Sequence, residues 1–126
     1  MYPENLKYTE THEWARLEDD GETVTVGITQ HAVEQLSDIV FVELPETGTP
    51  VSKGESFGAV ESVKAVVDLN SPVTGEVTNV NKPVTEKLDL ITKDPYGEGW
   101  IIKIKAKDKS ELESLMNSQN YEKSIT

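Results

Sequence analysis

The chain has 126 residues, a net charge of -11, 36% apolar and 28% charged residues, and no cysteine. This length fits one domain with a modest core and is too short for two domains enclosing a catalytic cleft. The acidic balance works against nucleic-acid binding, no apolar run approaches the roughly 20 residues of a membrane span, and disulfides, thiolate nucleophiles and cysteine-based metal sites are excluded. Acidic residues are spread along the chain, which serves solubility, steering toward basic partners, or both.

Through the first hundred residues, short runs rich in Val, Ile, Thr and aromatics alternate with Gly, Pro and Asp clusters, the spacing of an all-β sandwich or barrel with few helices. Trp14 to Leu17 and Glu22 to Ile28 flank Glu18-Asp19-Asp20-Gly21 and predict a hairpin. In Glu22-Thr23-Val24-Thr25-Val26 apolar and polar residues alternate, as in a half-buried strand. Thr29 is placed to cap a short helix whose apolar positions are Ala32, Val33 and Leu36, covering one end of the barrel. Ile39 to Leu44 forms a nearly continuous apolar strand, ended by Pro45-Glu46-Thr47-Gly48.

A faint echo follows. Val51-Ser52-Lys53-Gly54-Glu55 and Val73-Thr74-Gly75-Glu76-Val77 each place Gly-Glu beside apolar residues, which suggests two related hairpins or coincidental glycine turns. After the strand Trp100 to Ile104, Asp108-Lys109-Ser110-Glu111 has capping-box spacing ahead of Leu112, Leu115 and Met116, predicting an amphipathic C-terminal helix over about 109–117. Tyr121 and Ile125 are expected to complete its packing.

Catalytic candidates are sparse. His12 and His31 lie in different segments without an HxH or HExxH pattern, so neither a metal site nor a catalytic residue is expected. What remains is Gly58-Ala59-Val60-Glu61-Ser62-Val63-Lys64-Ala65-Val66-Val67-Asp68, an apolar-rich stretch interrupted by one cation. Lys64 is either a plain exposed lysine at a bend, its stem on apolar neighbours, or a presented amine, with small Ser62 and Ala65 beside it and Pro72 and Gly75 delimiting the returning strand. The bend lacks Asn-Gly or Asp-Gly, so turn chemistry alone also allows one long strand from Ser56 to Leu69.

Glu61-Ser62-Val63-Lys64-Ala65, followed by Ser71-Pro72-Val73-Thr74-Gly75-Glu76-Val77, resembles the lipoyl-attachment hairpin of glycine cleavage H proteins. Similar segments occur in the same order along nearly the whole chain: His12-Glu13-Trp14, Val26-Gly27-Ile28-Thr29, Val40 to Pro45, Asp94 to Trp100 and Glu111-Leu112-Glu113. Biotin carriers show Met-Lys-Met and the lipoyl domains of 2-oxo acid dehydrogenases Asp-Lys-Ala, neither of which is present.

The resemblance implies a single domain, 1–126, with a flattened β sandwich-barrel hybrid of lipoyl/biotinyl type, a lipoyl hairpin over about 56–77, and a few short flanking helices including the C-terminal one. It implies lipoic acid attached covalently to Lys64, with Glu61, Ser62, Val63 and Ala65 as the hairpin recognised around it. The implied function is non-catalytic. The carrier takes the aminomethyl group of glycine from a pyridoxal-phosphate glycine decarboxylase to an aminomethyltransferase, and then passes electrons to dihydrolipoyl dehydrogenase. A lipoate ligase or lipoyltransferase would install the arm, whose dithiolane supplies the sulfur chemistry that a cysteine-free chain lacks.

In that family the loaded arm rests in a cleft of the carrier, and the matching positions here are Glu13, Asp68 and Thr11, the last where relatives can have serine. A carboxylate suits a cationic aminomethyl group, although Glu13 and Asp68 also read as ordinary strand-edge charges. Asp94 to Trp100 reads as a structural loop whose Tyr96 and Trp100 pack. A lipoyl-relay or interaction protein of the same fold, outside glycine breakdown, is the alternative function. A monomer is expected. Met1 to Asn5 has no targeting character, which points to the bacterial cytoplasm, or to the mitochondrial matrix for a processed chain.

Overall fold

The structure is a computed structural model that describes residues 2–125. Nine strands form two antiparallel sheets. The larger has the order β1 (Lys7–Tyr8), β2 (Glu13–Leu17), β3 (Thr23–Ile28), β9 (Ile102–Ala106), β8 (Gly75–Val80) and β5 (Pro50–Val51); the smaller runs β4 (Ile39–Glu43), β6 (Ser56–Ser62) and β7 (Val66–Asn70). Helices α1 (Gln30–Leu36), α2 (Pro83–Glu86), α3 (Asp89–Lys93) and α4 (Ser118–Ser124), with a 3-10 turn at Lys109–Ser114, flank them. Among the described residues no helix is long and apolar enough to cross a membrane.

The strand alternation generates two cores. Val24, Val26 and Ile28 of β3 join Ile102 and Ile104 of β9 and meet Val42, Val60 and Leu69 of the smaller sheet in the main core. On β2, Ala15 enters this core while Trp14, one residue earlier, points into a separate aromatic cluster with Leu6, Tyr8 and Tyr121. Tyr8 and Tyr121 stack there at 4.8 Å, and the Trp14 indole donates to the Pro95 carbonyl at 2.9 Å. Gly27 lies against Trp14 so closely that a Cβ would come within 2.6 Å of the indole. The 94–100 loop therefore packs as expected, with Tyr96 and Trp100 against the aromatic cluster.

Other local expectations hold. Gly21 takes φ 74° in the β2–β3 hairpin, and Asp20 accepts from the Glu22 and Thr23 backbone amides and the Thr23 hydroxyl, which holds its carboxyl down to about 2. Thr29 caps α1 by accepting from the Ala32 amide at 3.2 Å.

Several expectations are corrected. Thr25, assigned to the wet face of β3, is fully buried, because its hydroxyl donates to Glu18 at 2.6 Å under the Arg16–Glu18 pair. The Gly-Glu echo is not two like turns: Gly54 sits in a turn at φ 84°, whereas Gly75 begins β8, and the two segments pair with each other through Val51 and Gly75. The expected helix over 109–117 is a 3-10 turn followed by an extended Leu115-Met116, and α4 starts only at Ser118. Met116 is withdrawn from helix by an antiparallel bridge in which it and Tyr8 exchange both backbone hydrogen bonds, at 2.8 and 2.9 Å. Glu111 likewise leaves the capping box and accepts from the Thr74 amide and hydroxyl, at 2.7 and 3.0 Å.

Candidate functional site

The stretch around Lys64 is a hairpin and not one long strand. β6 and β7 pair antiparallel with Val60 opposite Val67 and Glu61 opposite Val66, and the chain reverses at Val63-Lys64. No residue of this bend has positive φ, so it is not the glycine-dependent hairpin turn. Ser62 replaces that chemistry. Its buried hydroxyl accepts from the Lys64 and Ala65 amides, both at 3.2 Å, while its own amide donates to the Ala65 carbonyl at 2.8 Å. The Val63 amide donates to the Asp38 carbonyl at 3.1 Å, tying the tip to the loop before β4. Glu61, Val63, Lys64 and Ala65 are all exposed, and among the described residues Lys64 enters no ion pair.

Beside the tip lies a cavity of about 110 Å³. It is lined by Ala32, Gln35 and Leu36 of α1, by Val60, Val67 and Leu69 of the hairpin, and by Thr11, His12 and Glu13. Ser62, Lys64, Ala65 and Asp68 line its hairpin side. Apolar walls with carboxylates among the lining residues suit a flexible hydrocarbon chain that ends in a polar or cationic group.

The two cleft carboxylates differ in state. Glu13 is buried in β2, accepts at Oε1 from the Thr9 and Thr11 hydroxyls at 2.6 and 2.5 Å, and at Oε2 from the Asn70 amide at 3.0 Å. It thus joins the larger sheet to the end of β7. Burial raises its pKa, while the Asn70, Thr11 and Thr9 hydrogen bonds oppose the rise. Asp68 is exposed and its carboxylate has no protein partner among the described residues. Thr11 is exposed and turns its hydroxyl to Glu13, which places it in the cleft through that carboxylate.

Sequence distance hid the histidines. His12 and His31 come together with ring centroids 4.7 Å apart, and His12 lines the cavity. His12 adopts φ 74°, and its Nδ1 lies 2.7 Å from the Tyr121 hydroxyl, which also meets the Thr29 hydroxyl at 2.8 Å. Burial, and then the neighbouring His31, lower the His12 pKa. The remaining lining residues, among them Gln35 and Leu36 of α1, occupy positions that read from sequence simply as element surface or core. Among the described residues no group of histidines and carboxylates could hold a metal.

Fold and site together define a class: a small two-sheet β module that displays a single lysine on a braced hairpin beside an apolar cleft. A sequence model of the family described as Glycine cleavage H-protein matches residues 6–126. The glycine cleavage system H protein of Teredinibacter turnerae is 56% identical over 120 residues, covering 95% of this chain and 92% of that protein. The mitochondrial glycine cleavage system H protein 2 of Arabidopsis thaliana is 52% identical over 119 residues, covering 94% of this chain and 75% of that protein. The crystal structure of a glycine cleavage system H protein from Mycobacterium marinum superposes with a TM-score of 0.88 at 39% identity, covering 98% of both chains. The chain belongs to the glycine cleavage H-protein family, and its fold is the expected lipoyl-type sandwich-barrel.

Proposed function

We propose that the protein is the lipoyl-bearing carrier of glycine cleavage, with the arm in amide linkage to the Lys64 Nζ. The observation that carries the reading is the placement of Lys64: exposed, unpaired among the described residues, on a tip fixed by Ser62, at the mouth of an apolar-walled cavity. Family membership supports the carrier role. Bound on Lys64, a lipoyl group would supply a redox-active dithiolane, the sulfur chemistry needed to carry an aminomethyl group between glycine decarboxylase and aminomethyltransferase and electrons to dihydrolipoyl dehydrogenase.

The chain's own residues do the holding. Ser62 keeps the lysine backbone in one conformation, so the side chain alone sweeps between cleft and partners. Asp68, without a protein partner, is the carboxylate free to pair with a cationic group at the cleft. Glu13, already satisfied by three donors, shapes the cleft and keeps one acceptor site on Oε2 unoccupied. The setting is the bacterial cytoplasm, or the mitochondrial matrix for a processed chain, and the working form is a monomer.

Intact mass after incubation with lipoate, ATP and a lipoate ligase tests the attachment. The native chain gains the mass of one lipoyl group and Lys64→Arg gains none. No gain on the native chain, or a gain that survives in the variant, overturns it.

A further inference from the structure

Six large apolar side chains stand exposed among the described residues, and five of them, Val40, Phe41, Val63, Val66 and Val67, surround the hairpin of Lys64. Phe41 is 57% and Val66 65% exposed. Strand register explains the grouping: Phe41 is opposite Glu61, which is opposite Val66, so one row crosses all three strands of the smaller sheet on its outer face. This row ends about two residues, or ~7 Å, from the Val63-Lys64 bend. Glu61 stands at the centre of this row, and around it lie the exposed carboxylates of Asp38, Glu43 and Asp68, none of the four in an ion pair among the described residues.

Such a patch is costly to leave in water and marks a contact surface. Its acidic rim, on a chain of net charge -11, disfavours a second copy of itself. The complement is a surface with an apolar pocket ringed by Lys and Arg. A further geometric point selects the partner: Val40, Phe41, Glu61, Val63 and Val66 do not line the cavity, so a protein seated on this row leaves the cleft open. On the carrier reading the cleft is the resting place of the loaded arm, so a loading enzyme seated on this row would leave that place accessible.

We infer that the Phe41–Val66 row is the docking face for the loading enzyme, whose entrance bears an apolar pocket with a basic rim; the inference rests on the carrier reading above. Phe41→Ser and Val66→Ser are made in the full chain, lipoylated, verified by intact mass, and assayed with purified glycine decarboxylase. Both positions are exposed, so the variants keep the fold. KM for the carrier is expected to rise about tenfold, the loss of an anchor side chain from an interface, with kcat nearly unchanged. For the native chain KM is expected to rise with ionic strength, and Glu43→Gln to flatten that dependence.

Equal KM values for the native and both variant carriers overturn the docking face while the carrier reading stands. A native chain that is lipoylated on Lys64 yet inactive with the decarboxylase, or that takes no lipoyl group, overturns the carrier reading and the docking face with it. Sedimentation that finds the native chain dimeric and Phe41→Ser monomeric assigns the row to a second copy instead.

Discussion

Glu13 concentrates the chemistry of one residue. Its carboxylate is buried yet accepts three hydrogen bonds, two from hydroxyls that can rotate and one from the fixed Asn70 amide. Glu13→Gln can keep the amide bond through its carbonyl while Thr9 and Thr11 reorient, whereas Glu13→Ala orphans Asn70 and leaves a void. We expect the Ala variant to lose about 2–4 kcal/mol in urea unfolding and the Gln variant clearly less. Because burial raises the Glu13 pKa, the folded state holds this proton more tightly than the unfolded state. Stability therefore falls as pH rises from the ordinary carboxylate range through the raised value. Urea midpoints measured across that window should show Glu13→Gln gaining on the native chain as pH increases. At Lys64 the neighbouring hydroxyl matters as well. Ser62→Ala removes the acceptor of two turn amides and should cost about 1–2 kcal/mol and slow lipoylation, which a time course by intact mass would show.

Elements meet at His12, Thr29 and Tyr121, which clasp the loop before β2, the start of α1 and the C-terminal α4. Thr29 both caps α1 and meets the Tyr121 hydroxyl, so Thr29→Val removes two interactions at a fully buried position. A loss of about 1–3 kcal/mol is expected, with faster amide exchange in α4 as the local signature. The lowered His12 pKa has the opposite sign to Glu13. The unfolded state binds this proton more readily, so stability is lost as pH falls from the ordinary histidine value through the lowered one. The rings of His31 and Tyr121 face it. Thermal melts of His12→Asn, a residue that tolerates φ 74°, should show a flatter acid limb than the native chain.

At the scale of the whole molecule, charge dominates. A net charge of -11 with two ion pairs among the described residues leaves self-repulsion that salt screens. Raising ionic strength from about 0.01 to 0.15 M, which shortens the Debye length from about 30 to 8 Å, should raise the melting temperature even as it weakens partner docking. The two effects are separable, since one is read by calorimetry on the isolated chain and the other by carrier KM.

Much of this protein is legible in its residues alone. The β2–β3 turn follows from Asp20 and Gly21, the α1 cap from Thr29, and the family from collinear segments, because each depends on neighbours within a few positions or on order along the chain. Helices α2 and α3, of four and five residues, are too short to show a helical period in sequence, and the sequence reading does not place them. The hairpin at Lys64 was ambiguous locally, because it turns on a serine hydroxyl and an anchor at Asp38 instead of a glycine. Only the tertiary structure decided that Glu13 is a satisfied strut and Asp68 a free carboxylate, that His12 and His31 meet ring to ring, and that Met116 leaves its helix to pair with Tyr8. These outcomes depend on burial and on partners 19 to over 100 residues away, and a side chain's hydrogen bonds and exposure are properties of its surroundings, which the order of residues does not encode locally.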